Sequence, residues 1–185
     1  MSERDLIEPE TTLAGLDLSG ADLSGVDASC TTFQSCNLAG ANLMGADLSG
    51  ACFEECNLDR ADLSSAVLRA ATVSRCVATN TIMWDTCLAL ATFTSTFLDG
   101  ASMDGDATLA RFDDCTFMRA VINHADLEDA RFTRCTGVAT ITLPDGLTLL
   151  GVPGADGLDL VWPGRTPGPV RDAAWALVEE INRSR

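Results

Sequence analysis

Cysteines have the widest chemical repertoire in this sequence, because thiolates bind metals, form disulfides and act as nucleophiles. The chain has eight of them. Cys36, Cys56 and Cys76 are spaced by 20 residues, and so are Cys115 and Cys135. No Cys-x-x-Cys pair occurs, and side chains stacked in parallel would not converge as tetrahedral zinc requires. We therefore expect these five cysteines to be reduced, small core residues that bind no metal.

Acid–base chemistry has few other candidates. His124 is the only histidine, and no nucleophile has a defined place beside it. The carboxylates of Asp113, Asp114, Glu128 and Asp129 could act as general acids or bases, but solvated surface carboxylates are the default in so acidic a chain. No glycine-rich phosphate-binding motif occurs. We expect neither enzymatic activity nor a cofactor.

A five-residue repeat decides where all of these side chains lie. Large apolar residues, here called the central positions, recur at every fifth residue. The series runs through Leu13, Leu18, Leu23, Ala28, Phe33, Leu38, Leu43, Leu48, Phe53, Leu58, Leu63, Leu68, Val73, Ala78, Met83, Leu88, Phe93, Leu98 and Met103, and resumes at Phe112, Phe117, Ile122, Leu127 and Phe132. Met103 and Phe112 are nine residues apart where the repeat requires ten, so a corner near 104–107 must be shortened. We leave open whether this is a harmless deletion or a kink that shapes a binding surface.

Small residues form a second series, two positions before the central one. The residue between the two is often Asp or Asn, as in Ala41-Asn42-Leu43-Met44-Gly45. A period of five matches neither the 3.6 of a helix nor the 2.0 of a strand. The pattern predicts a short extended segment with two inward side chains, followed by a corner. Cys30, Cys52 and Cys87 then fall at outward positions.

A longer period of 20 residues lies on top of the first. Phe33 and Phe53 are 20 residues apart, and so are Phe112 and Phe132. Like residues stack on like residues when four five-residue segments make one circuit. The sequence therefore predicts an all-β solenoid with four sides, with phenylalanine stacked on one side and cysteine on the next.

The unit small-(Asp/Asn)-(Leu/Phe)-x-x resembles the repeat of the pentapeptide-repeat family over residues 11–137. The resemblance implies a right-handed quadrilateral β-helix, here of about six coils. Outward Asp and Asn should accept hydrogen bonds from backbone N–H groups at the corners.

The remaining segments depart from the repeat. Residues 1–10 form an N-terminal lead-in, and residues 138–169 form a non-repeat cap and linker. Within the cap, Ala139–Leu143 and Leu147–Val152 are predicted to be strands joined by a tight turn. An amphipathic α-helix is predicted at 170–183.

Charge narrows the range of partners. The chain has 27 acidic residues against 12 basic ones, all arginine, and a formal net charge of −15. Phosphates would be repelled, so we expect no direct binding to nucleic acid or to an anionic membrane. We see no signal peptide and no run long enough to span a bilayer, and we expect a cytoplasmic protein.

The resemblance also implies functions. Characterised family members include bacterial proteins that bind DNA gyrase and topoisomerase IV, resemble duplex DNA in shape and charge, and protect gyrase from inhibitors. We expect an acidic solenoid that presents its surface to a protein partner, with modulation of gyrase or topoisomerase as the alternative. The helix at 170–183 could cap the last coil or pair with a second copy to form a homodimer.

Outward apolar side chains and corner carboxylates are the candidate interface residues. Trp84 follows a central position and points outward, beside Ile82 and on the same side as Met44. An exposed aromatic residue with apolar neighbours is typical of interface hot spots. The complete set is Met44, Ile82, Trp84, Asp104, Asp106, Asp113, Asp114, Trp175, Leu177, Val178 and Ile181.

Overall fold

The computed structural model describes residues 3–123, 125–137 and 139–142, and the backbone of residues 148–151 and 160–161. A 3-10 helix at Glu3–Leu6 precedes thirteen short strands. The strands are β1 (Thr12–Ala14), β2 (Thr32–Gln34), β3 (Cys52–Glu54), β4 (Thr72–Ser74), β5 (Ile82–Cys87), β6 (Thr92–Thr94), β7 (Ser102–Asp106), β8 (Arg111–Asp113), β9 (Val121–Asn123), β10 (Arg131–Thr133), β11 (Ala139–Thr142), β12 (Thr148–Gly151) and β13 (Leu160–Val161).

Parallel pairing at a spacing of 20 residues confirms the predicted four-sided β-helix of about six turns. Leu13 pairs with Phe33 on the first face. Bridges of the same spacing join Asp17 to Asn37 on the second face, Asp22 to Asn42 on the third and Asp27 to Asp47 on the fourth. We number the coils from the first, 11–30, through the second to fourth, 31–50, 51–70 and 71–90, to the fifth and sixth, 91–109 and 110–129.

The central positions fill the interior, as the repeat predicts. Phe33, Leu38, Leu43 and Leu48, one from each face of the second coil, are completely buried. Small inward residues such as Ala41 and Ala46 are buried beside them and leave room for the larger side chains. The core is therefore one continuous column whose volume is set separately in each coil.

Backbone hydrogen bonds between successive coils hold this column together. Leu38 N donates to Asn57 O of the next coil at 2.7 Å, while Asn37 N donates to Leu16 O of the preceding coil at 2.8 Å. The same spacing stacks the rings of Phe33 and Phe53 with centroids 4.8 Å apart and planes 3° from parallel. Such ring pairs add about 0.5–1.5 kcal/mol beyond the burial of their area.

Outward Asp and Asn side chains stabilise the corners, which confirms the role predicted for them. Asn57 Oδ1 accepts a hydrogen bond from Asp59 N at 3.0 Å. The amides also form a ladder along the second face, where Asn57 Nδ2 donates to Asn37 Oδ1 at 3.2 Å and Asn37 Nδ2 donates to Asp17 Oδ1 at 3.0 Å. An aspartate can end this ladder because it only accepts hydrogen bonds.

The shortened corner lies between the third and fourth faces of the fifth coil. Met103 pairs with Met83, but Gly105 pairs with Thr86, so one residue is missing from this corner. Gly105 has φ +104°, and a Cβ there would lie 2.5 Å from Thr86 O. Glycine is required because the shorter chain draws the backbone against the coil below.

A second shortened corner, which the five-residue count did not predict, lies where the chain leaves the second face after Thr136. Thr116 pairs with Thr136, but Val121 pairs with Thr140, so one residue is missing here as well. Gly137 has φ +97°, and its Cβ would lie 2.5 Å from Met118 N. Beyond this corner, β11 continues the third face in parallel with β9.

The far end of the solenoid is covered by antiparallel strands. β11 pairs with β12, in agreement with the predicted hairpin. On the first face, β13 pairs antiparallel with β10, with Arg131 opposite Val161. The turn expected at 143–147 and the helix expected at 170–183 lie outside the described residues.

The near end is covered by the N-terminal lead-in. Ile7 is buried against the core, and Glu10 N donates to Ser29 O at 2.9 Å. Thr31 Oγ1 donates to Glu8 O at 2.9 Å. In the part of the chain that the structure describes, no helix has the length and apolar character needed to span a bilayer.

Replacing Gly105 by alanine should destabilise the protein far more than the same change at Gly45. Gly45 has φ +65° with no atom within 4 Å of a built Cβ, so Gly45→Ala should cost about 1–2 kcal/mol of conformational strain. Gly105→Ala adds a backbone clash and should cost about 3 kcal/mol or more. Urea unfolding measures both. Equal losses would show that the shortened corner is not tightly packed.

Candidate interaction surface

Outward positions change in character between the third and fourth coils. In the first three coils, the residue before each central position on faces two to four is nearly always Asp or Asn. On the second face this column begins Asp17, Asn37, Asn57, but continues with Val77 and Phe97. Neither apolar side chain can accept the corner hydrogen bond that Asn57 accepts. These two residues therefore give up a stabilising contact and expose apolar surface.

The second-face strip, as we name Val77, Phe97 and Met118, is the most extended of these apolar groups. Val77 bridges Phe97 in the next coil, so their side chains are adjacent. Met118 follows one coil later and lies diagonally to Phe97, within reach of a long side chain. Half of Phe97 and 57% of Met118 are exposed. Asp59, Arg60, Asp99 and Arg119 supply charged groups beside the strip.

The third face carries the tryptophan that the sequence singled out. Trp84 points outward with 55% of its surface exposed, and Ile82 lies half-buried two residues before it. Trp84 Nε1 donates to Ser102 Oγ of the next coil at 3.3 Å. Asp104 accepts a hydrogen bond from Asp85 N at the shortened corner. Ile82, Trp84 and Asp104 are thus brought together.

The other predicted interface residues are dispersed. Met44 lies on the third face two coils below Trp84, with Ser64 between them. Asp106 is exposed on the fourth face. At the corner between the first and second faces, Asp113 accepts from Arg134 Nη2 at 2.7 Å, and Asp114 accepts from Ser95 Oγ at 3.0 Å. These side chains do not form one site.

The remaining sequence-based candidates, His124, Trp175, Leu177, Val178 and Ile181, lie outside the described residues. The sequence analysis overlooked Val67, Val77, Leu90, Phe97, Leu109 and Met118, all of which are exposed apolar residues. A simple signal would have found them: an apolar residue at an outward position of the repeat, where Asp, Asn, Ser or Gly usually stands.

The acidic corners of the first coil are ionised at neutral pH. Ser24 Oγ donates to Asp22 Oδ1 at 2.7 Å, and this hydroxyl and then the Ser24 N–H lower the pKa of Asp22 below its usual value. Ser29 acts in the same way on the pKa of Asp27. Their negative charges therefore contribute fully to the field around the solenoid.

The stacked cysteines lie inside, as predicted from the 20-residue spacing. Cys36, Cys56 and Cys76 are buried, and all eight cysteines are free thiols. Cys56 Sγ donates to Phe33 O at 3.2 Å. Burial raises the pKa of the Cys36 thiol. The neighbouring Cys76 thiol, and then burial, raise the pKa of Cys56.

Two further points bear on chemistry at the surface. Cys30 is exposed, while Cys52 and Cys87 are half-buried, which agrees with their predicted outward positions. Among the described residues, no three His, Cys, Asp or Glu side chains are grouped where they could hold a metal ion.

Comparison with known protein families gives one match. The family model described as pentapeptide repeats matches the chain in eight copies, over residues 10–44, 29–60, 56–94 and 106–136. No curated protein matches the chain.

Solved structures with a similar fold share little sequence with the chain. Full-length QnrB1, a plasmid-mediated fluoroquinolone resistance protein, is 18% identical over 73% of this chain and 72% of its own, with a TM-score of 0.41. A pentapeptide repeat protein from the Arabidopsis thaliana thylakoid lumen is 27% identical over 68% and 74%, with a TM-score of 0.33. HetL from Nostoc sp., a pentapeptide repeat protein involved in heterocyst differentiation regulation, is 20% identical over 76% and 90%, with a TM-score of 0.23. At these values the likenesses bear on neither partner nor function.

Thiol labelling of the native protein should distinguish the two sets of cysteines. Cys30 should react first, Cys52 and Cys87 more slowly, and the five stacked cysteines only on unfolding, because a buried thiol is neither accessible nor readily ionised. Peptide mass spectrometry after timed alkylation identifies each site, and Cys30→Ser should remove the fastest phase. Labelling of Cys56 as fast as Cys30 would contradict the inward assignment.

Proposed function

Because this chain belongs to the pentapeptide-repeat family, we propose that it is a non-enzymatic protein that presents its acidic solenoid surface to a protein partner. The observation that carries the proposal is the change of outward residues from the fourth coil onward. There, side chains that would stabilise corners are replaced by exposed apolar ones such as Val77 and Phe97. Such a replacement weakens the isolated fold and is understandable if a partner covers these residues.

The second-face strip is the proposed centre of contact. Phe97 and Met118 are long, exposed side chains of the kind that contribute most to protein interfaces. Charged groups flank them, with Arg60 lying 3.6 Å from Asp59. A partner would therefore offer an apolar patch within a rim of polar and, given the net charge of −15, predominantly basic groups.

Replacing both long side chains of the strip by aspartate should abolish the interaction. A partner captured on the wild-type protein and then purified should bind the Phe97→Asp/Met118→Asp variant about thirtyfold or more weakly, since one hot-spot side chain contributes about 2 kcal/mol. Calorimetry measures the affinity, and circular dichroism checks that the fold is retained.

Met44→Asp is the matched control, because Met44 is 47% exposed but lies on the third face. It should bind like wild type. Equal weakening by Met44→Asp would move the contact to the third face, and unchanged binding by the double variant would exclude the strip.

The density of negative charge supports a second candidate, a DNA-mimicking modulator or protector of DNA gyrase or topoisomerase IV. Residues 1–137 contain 21 acidic residues and 8 arginines, a net charge of −13. Coils about 4.8 Å apart give a rod of roughly 30 Å, or about one net charge per 2.3 Å, against about 1.7 Å for duplex DNA. On the fourth face, Asp27 stacks on Asp47 and Asp106 on Asp126.

A supercoiling assay with purified gyrase tests this candidate. We expect the wild-type protein to alter supercoiling, with an effect that weakens as salt rises. The Asp27→Asn/Asp47→Asn/Asp106→Asn variant should be less effective, because asparagine keeps the corner hydrogen bonds, as Asn37 does, and removes only charge. No effect of the wild-type protein at any salt concentration would rule out a gyrase modulator and leave the second-face strip unaffected.

A further inference from the structure

Two leucines occupy a corner of the solenoid where leucine is unfavourable. Leu90 and Leu109 follow one another in the column between the fourth and first faces, with φ +63° and +59°. They are 43% and 45% exposed. The column holds glycine at Gly50, which adopts φ +66° without strain. We name Leu90 and Leu109 the leucine corner.

Neither the backbone nor the packing of the described residues explains this choice. A left-handed conformation is costly for a residue with a Cβ, and only Asn, Asp and Gly adopt it readily. Leucine cannot form the local hydrogen bonds that offset the cost for Asn and Asp. Its apolar side chain also remains in solvent among the described residues. The leucine corner therefore points to a contact with a segment outside them.

The end of the described chain leads directly to this corner. β13 runs antiparallel to β10, with Leu160 opposite Phe132 and Val161 opposite Arg131. The next residue therefore leaves the first face on the side of Asp129, which stands in the same corner column as Leu109. Successive members of the column are about 4.8 Å apart. Residues 162–169 span at most roughly 26–29 Å when extended, so residue 170 can reach either leucine.

The segment that follows has the sequence to cover them. Val170, Ala174, Leu177, Val178 and Ile181 recur at helical spacing and would share one face. Residues 163–185 carry four arginines and three acidic residues, whereas the fourth face beside the corner presents Asp106 and Asp129. The segment is thus complementary to the corner in both apolar character and charge.

From these observations we infer that residues 170–183 dock in cis along the leucine corner, with their apolar face on Leu90 and Leu109. The segment then lies against the side of its own solenoid. It is not available to pair with a second copy, and the second-face strip, on another side, stays open.

Hydrogen exchange of the full chain tests the docking. In the wild-type protein, amides of residues 170–183 should exchange at least about tenfold more slowly than in Leu90→Asn/Leu109→Asn, the difference expected for losing the burial of one leucine. Asparagine suits the left-handed corner, so the solenoid should remain folded and its own amides unchanged. Should the double variant not fold, the single variants Leu90→Asn and Leu109→Asn carry the test, each with a partial effect.

Phe97→Asn is the control, since it removes an equally exposed apolar side chain from another face and should leave exchange of residues 170–183 slow. Fast exchange in the wild-type protein, or slow exchange retained in Leu90→Asn/Leu109→Asn, would overturn the inference. Light scattering separates the remaining case: a wild-type dimer that becomes monomeric in the double variant would mean that the segment docks on a second copy instead.

Discussion

Hydrogen bonding of each coil to the coils on both sides is the constraint on which the rest of the structure depends. The bonds from Leu38 N and Asn37 N run to opposite neighbours, so every coil is fixed in register by two others. The register forces residues 20 apart to stack about 4.8 Å from one another. Inward columns must then be filled coil by coil with side chains of compatible volume, and outward columns must tolerate their own neighbours.

The outward columns show how this tolerance is achieved and where it is abandoned. Asp17, Asn37 and Asn57 tolerate one another because each amide donates to the oxygen below it. At Val77 the ladder stops, and the same column becomes apolar through Phe97. One regular backbone therefore carries two kinds of surface, a self-satisfied one over the first three coils and an unsatisfied apolar one beyond. The proposed partner contact follows from the second.

The two shortened corners show how much irregularity the register can absorb. Each removes a single residue, at Gly105 and at Gly137, and in each case pairing resumes immediately afterwards. A glycine is needed at both because a Cβ would meet the backbone of the coil below at 2.5 Å. The deletions change the direction of the corner without breaking the column of stacked residues, so the apolar positions on either side remain aligned.

The sequence by itself determined the period of five, the four faces, the inward cysteines and the corner role of Asp and Asn, because each depends on residue type at a constant spacing. It also indicated the hairpin of β11 and β12 and the shortened corner near Gly105. Only the tertiary structure decided which outward residues share a face in successive coils, as Phe97 and Met118 do, and that the repeat continues past Gly137 after a second deletion. The pairing of β13 with β10 likewise appears only there. The physical reason is that spacing along the chain fixes the direction of a side chain, whereas its neighbours one coil away depend on the register of the folded solenoid.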